Sequence, residues 1–84
     1  LAVCTNKIER LARAVIEALG LSAFFTAIAG RDTLGHCKPD PRHLIGTVAL
    51  AGGVIEKSLM VGDSQTDIRT AQAAGIPVVA VSFG

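Results

Sequence analysis

Short apolar runs alternate with longer amphipathic segments along almost the whole chain, and this alternation limits the fold more than any other feature. Leu1 to Cys4, Phe24 to Ile28, Leu59 to Val61 and Pro77 to Val81 predict strands. Between them, three segments predict helices. From Ile8 to Leu19, the apolar residues Ile8, Leu11, Ala12, Val15, Ile16 and Leu19 recur at helical spacing opposite Glu9, Arg10, Arg13 and Glu17, and Gly20 stops the run. Pro41 to Leu50 opens on a residue suited to a first helical turn, with Leu44, Ile45 and Val48 as the expected buried positions. Gly52 and Gly53 end that helix, and Val54 to Ser58 connect to the third strand. Thr66 to Ala74 is alanine-rich and ends at Gly75. The order strand, helix, strand, loop, helix, strand, helix, strand predicts an α/β fold with a parallel sheet, flanking helices and right-handed crossovers.

Composition narrows the class. With 84 residues the chain has room for one small domain and a modest core. Half of the residues are hydrophobic, yet only three are Phe and none is Tyr or Trp, which suits strands covered on both faces and not a base-stacking surface. Phe24 and Phe25 are read as core fillers. A formal charge of +1 with scattered basic residues argues against nucleic acid as a partner. There is no apolar run of about eighteen residues, so no membrane span is predicted. Cys4 and Cys37 have neither zinc-like nor disulfide-like spacing and read as free thiols in a reducing, cytoplasmic setting, and no secretory leader is visible. Leu1-Ala2-Val3-Cys4 starts within a strand-like run and Ser82-Phe83-Gly84 has no natural finish, which leads to the expectation that these residues continue a longer protein.

The chemistry gathers at strand ends. Leu59 to Arg69 opens as an apolar run, breaks at Gly62 and presents Asp63 and Asp67 at a strand-to-helix junction, where open α/β sheets bind ligands and metals. The same pattern can be purely structural, because an acidic side chain in a first helical turn complements the helix dipole. The first strand ends on Thr5 and Asn6. The loop from Thr33 to Pro41 carries Lys38, held out of helical geometry by Pro39. A hydroxyl and backbone N-H groups can hold phosphate oxygens, a lysine can neutralise them, and carboxylates can hold magnesium. No nucleophile or general base accompanies this set. His36 reads as a solvated loop residue, His43 as a surface residue in a first helical turn, and Asp40 as a loop or cap residue. Neither a Walker-type loop nor a dinucleotide-binding glycine fingerprint is present, which disfavours nucleotide binding.

Taken together, these pieces resemble the haloacid dehalogenase-like superfamily of aspartate-nucleophile phosphatases, and most of all its phosphoglycolate phosphatase branch. Leu1-Ala2-Val3-Cys4-Thr5-Asn6-Lys7 is similar to the second family motif and Lys38-Pro39-Asp40-Pro41 to the third. Val61-Gly62-Asp63-Ser64-Gln65-Thr66-Asp67 is similar to the fourth, continuing through Ala71 to Pro77 and Val78 to Gly84. The resemblance implies that residues 1–84 are a partial core, an incomplete doubly wound, Rossmann-like parallel sheet. The strand bearing the Asp-x-Asp-Gly-Thr nucleophile motif and the helical cap would both be missing. In the family that strand lies between the strand ending at Thr5 and the strand ending at Asp63, so two unpaired edges are expected there.

The resemblance also implies roles. Thr5 would donate its hydroxyl to the substrate phosphate, with the Asn6 backbone N-H and side chain beside it. Lys38 would touch both the phosphate and the nucleophile. Asp63 would be the direct Mg2+ ligand, with Asp67 and Ser64 supporting the site. The implied activity is magnesium-dependent hydrolysis of a small phosphorylated metabolite, 2-phosphoglycolate, through an aspartyl-phosphate intermediate in the full-length protein. The 84 residues alone would be inactive. The alternatives are another small-molecule phosphatase or phosphomutase of the superfamily, or a noncatalytic phosphate- or metal-binding fragment.

Overall fold

Local signals set most of the element boundaries. In the computed structural model, which describes residues 1–82, the chain runs β1 (Ala2–Cys4), α1 (Glu9–Ala18), β2 (Ala27–Ala29), α2 (Pro41–Leu50), β3 (Met60–Gly62), α3 (Gln65–Ala74) and β4 (Val78–Ala80). Phe83 and Gly84, the end of the last family-like stretch, lie outside the described residues. Asp40 caps α2 by accepting the Arg42 N-H at 2.9 Å, as a cap residue should, and Pro41 follows in the first turn. Ser64 caps α3 by accepting the Asp67 N-H, and α3 ends on Gly75 at φ 75°.

The strands are three residues each and pair in parallel. β1 lies against β2 with Ala2, Val3 and Cys4 opposite Ala27, Ile28 and Ala29, and β3 lies against β4 with Met60, Val61 and Gly62 opposite Val78, Val79 and Ala80. These are two separate two-stranded sheets, and no ladder joins β1 to β3 among the described residues. A cleft of about 600 Å³ separates them, lined by Ala2, Cys4, Leu44, Thr47, Met60 and Val61. Both unpaired edges expected from the resemblance are therefore present, and they face an apolar space.

The main core is Leu44, Met60, Ala71 and Ile76, with Val48, Ile55 and Val78 packed around it. It sits where α3 packs against both α2 and β3. Ala71 is fully buried, which lets the two helices approach closely. On the other side, α1 packs on β2 and buries Ala12 and Ile28. Its remaining apolar stripe is open, with Leu11, Val15 and Leu19 all exposed.

Four expectations require correction. The second strand does not begin at Phe24: residues Ser22–Phe24 form a tight 3-10 turn, closed by Phe24 N-H to Leu21 O at 3.0 Å, and the ladder starts only after Thr26 donates to Leu1 O. Phe24 is consequently 62% exposed and fills no core gap. In α2 the buried face is His43, Leu44 and Thr47, while Ile45 is exposed. His43 is not a surface residue but is completely buried, because a main-chain carbonyl of β2 supplies it with a partner.

Candidate functional site

Three loops meet beside the C-terminal ends of β1 and β3. The first leaves β1 at Thr5, whose N-H extends the ladder by donating to Ala29 O at 3.0 Å. Thr5 Oγ1 accepts the Lys7 N-H at 3.1 Å. That bond uses an acceptor site of the hydroxyl and leaves its proton without an acceptor among the described residues, so Thr5 can donate to an incoming oxygen.

The second loop carries Lys38. Its main chain is gripped by the Asn6 carboxamide, which accepts the Lys38 N-H through Oδ1 at 2.8 Å and donates through Nδ2 to Lys38 O at 3.0 Å. The Lys38 Nζ then reaches Asp67 Oδ1 at 2.5 Å, and both side chains are largely buried.

The third loop follows β3. Asp67 Oδ2 accepts the Asp63 N-H and the Ser64 hydroxyl, each at 3.1 Å, so both oxygens of this carboxylate have donors. Burial alone would push the Asp67 carboxyl up, but the Lys38 ammonium, the Ser64 hydroxyl and the Asp63 N-H outweigh it and hold the pKa below the ordinary 3.8. Gly62 makes the arrangement possible. A Cβ there would collide with the Asp67 side chain. Asp67 is thus joined to Lys38 through one oxygen and to the Ser64 hydroxyl through the other.

Asp63 differs from its neighbour. It is exposed, and its carboxylate makes no hydrogen bond or ion pair among the described residues. No cluster of three or more His, Cys, Asp or Glu side chains suited to a metal occurs among them. A lone hard oxygen donor still fits a magnesium ion, which commonly takes one or two carboxylates and completes its shell with water and substrate oxygens.

A family model described as "Haloacid dehalogenase-like hydrolase" matches residues 1–81. The chain belongs to this family. It is 67% identical over its full length to a phosphoglycolate phosphatase of Mesorhizobium japonicum and 51% identical to one of Agrobacterium fabrum. It spans 37% and 36% of the lengths of those two relatives. Among solved structures, a predicted phosphoglycolate phosphatase of Haemophilus somnus superposes with a TM-score of 0.90 at 34% identity, over 100% of this chain and 37% of that one. A HAD-superfamily hydrolase of Geobacter sulfurreducens gives 0.85 at 32% identity, over 95% and 41%.

Sequence reasoning overlooked two features of this haloacid dehalogenase-like chain. One is the use of the Asn6 carboxamide on Lys38, residues 32 positions apart. The other is His43, whose Nε2 lies 3.3 Å from the same Ala29 carbonyl that accepts Thr5 N-H, while its buried Nδ1 has no partner among the described residues. Burial pushes its pKa below the ordinary 6.5, against the opposing influence of the Ala29 carbonyl, so the ring is neutral and donates through Nε2. A signal existed: His43 and Thr47 stand four residues apart on the face that also carries Leu44. The Thr47 hydroxyl in turn donates to His43 O at 2.7 Å. Cys4 and Cys37 are free, and burial raises the Cys4 pKa, which opposes a nucleophilic role. Asp40 is held at about 2 by the Arg42 guanidinium and N-H, so its charge serves the helix cap.

Proposed function

We propose that this chain is the phosphate-binding part of a longer magnesium-dependent phosphomonoesterase that acts on 2-phosphoglycolate. The observation that carries the reading is the Lys38 ammonium fixed on Asp67 between two loops, one offering the Thr5 hydroxyl and the other the uncommitted Asp63 carboxylate. The substrate is taken from the relatives, whose names are phosphoglycolate phosphatase.

In this mechanism Thr5 donates to a phosphate oxygen and the Asn6 backbone N-H orients a second one. Lys38 neutralises charge that builds on the phosphoryl group during transfer. Asp67 does not touch substrate; it holds the Lys38 ammonium in place. Asp63 would hold Mg2+, which when bound supplies Lewis-acid screening between phosphate and nucleophile. The nucleophilic aspartate comes from a strand outside these residues. An extended apolar strand seated in the cleft between β1 and β3 would satisfy both open edges and deliver its carboxylates beside Thr5 and Asp63. Transfer to that aspartate would break the ester bond and leave an aspartyl-phosphate, the departing glycolate oxygen taking a proton from the second aspartate of the same strand. That carboxylate, then ionised, would take a proton from the water that releases phosphate and restores the nucleophile. A cap domain outside these residues would govern substrate choice. The free thiols of Cys4 and Cys37 support action in the cytoplasm.

The test is phosphate release from 2-phosphoglycolate by the full-length protein. Asp63→Asn and Lys38→Ala are each expected to lower kcat/KM by about 10²- to 10³-fold. Hydrolysis at the wild-type rate in both variants would overturn the mechanism.

A further inference from the structure

We infer that the Asn6 side chain is a positioning residue for Lys38 and not a ligand of the phosphate. The inference rests on the phosphatase reading above and divides the labour of Asn6 between its main chain and its side chain.

The geometry is that of a clasp. A carboxamide offers an oxygen that accepts and a nitrogen that donates, and here Oδ1 faces the Lys38 N-H while Nδ2 faces the Lys38 carbonyl. Reversing the amide would set donor against donor and acceptor against acceptor, so both contacts select one orientation. Lys38 lies in an irregular loop, with α2 starting only at Pro41. Among the described residues, its N-H and its carbonyl have no partner other than Asn6. The lysine is therefore pinned twice, at the main chain by the β1 loop and at the ammonium by Asp67 of α3.

A lysine side chain is long and flexible, and ordering it costs rotamer entropy. Fixing only the ammonium would leave the base of the side chain free to drift. The clasp fixes that base, so Lys38 is ordered before an anion arrives. The carboxamide plane, held at both ends, is committed to the Lys38 main chain and cannot also turn toward a phosphate without giving up those bonds. The Asn6 main-chain N-H has no partner among the described residues and stays free for that task.

The test is a double-mutant cycle in the full-length protein, read by calorimetric binding of orthovanadate, a phosphate analogue whose binding needs no turnover. Asn6→Ala is expected to weaken binding about tenfold when Lys38 is present. In the Lys38→Ala background the same change should weaken it by less than about twofold. An equal loss in both backgrounds would put the carboxamide on the anion itself and overturn the inference.

Amide hydrogen exchange gives a second readout. Lys38 N-H should lose protection in Asn6→Ala and keep it in Asn6→Asp, which retains the accepting oxygen. Unchanged protection in Asn6→Ala would also overturn the role. Asn6→Ser, too short to span both groups, replaces the alanine variant if that one fails to fold. A wild-type protein that hydrolyses no phosphomonoester would defeat the proposed function, a result separate from an additive cycle, which defeats only the role of Asn6.

Discussion

Helices α1 and α3 each have 10 residues and each follows a three-residue strand, but they are held in opposite ways. α3 is specified from within its own stretch of chain. Ser64 caps it, Asp67 answers Ser64, and Asp67, Thr70 and Ala71 are buried against the rest of the protein. α1 has no local side-chain cap. Its first N-H instead donates to Asp32 Oδ1 at 2.8 Å, and Glu9 accepts from the Thr33 hydroxyl at 2.7 Å, both from the loop that follows β2. Only Ala12 is buried along it. The helix whose first turn carries the site is thus defined by neighbours in sequence, whereas the helix without site residues depends on a loop that must first come back to it.

Substitutions at the two close approaches would sharpen this contrast most. A Cβ on Gly62 would meet the Asp67 side chain, and a Cβ on Gly30 would meet the backbone of Glu9 and Lys7. In the full-length protein each alanine variant is expected to lose about 1–3 kcal/mol of stability. Gly62→Ala should in addition dislodge Asp67 from Lys38 and lower kcat disproportionately. Thermal midpoints and kcat measured together decide the matter, and a Gly62→Ala enzyme with unimpaired turnover would break the comparison.

Next in size come the two caps. Ser64→Ala and Asp32→Ala should each cost about 0.5–2 kcal/mol in denaturant unfolding. The parity matters because Asp32 lies 23 residues from the N-H it accepts. A neutral Asp32→Ala would mean that α1 needs no remote anchor.

The smallest effect belongs to His43, which joins α2 to the β1-β2 unit. Its folded pKa lies below 6.5, so the unfolded chain takes up the proton first. Stability from this group is complete above about 6.5 and declines as pH falls from there through the folded pKa. Thermal midpoints of wild type and His43→Gln, which keeps a donor for Ala29 but does not titrate, should converge in acid. A pH profile unchanged by the substitution would remove His43 from that account.

What the sequence revealed and what it hid follow the same division. The span of α2 was legible to the residue, because a capping aspartate and a proline mark its start and glycines mark its end. α3 was legible from its alanine-rich run and its Gly75 stop, and the meeting of Lys38 with Asp67 from motifs read in order. The Asn6 clasp, the Asp32 cap and the burial of His43 were not legible. Each depends on a partner from a distant segment, Lys38, Glu9 or Ala29, and nothing near the residue in sequence names that partner. The starting point of β2 was hidden for a related reason. Phe24 and Phe25 have good strand propensity, but their N-H groups close a 3-10 turn on Leu21 and Ser22, and pairing with the first strand shows first at Thr26, whose partner Leu1 lies 25 residues away.

Asp63 and Asp67 carry the same functional group four positions apart, yet they differ in how freely evolution or an engineer could revise them. Asp67 anchors a lysine, accepts from a serine and holds a main-chain N-H, so any replacement must solve three problems together. The Asp63 carboxylate makes no hydrogen bond or ion pair among the described residues. It behaves as an exchangeable fitting on a fixed mount, where the chemistry could be retuned, or silenced, with the scaffold left standing.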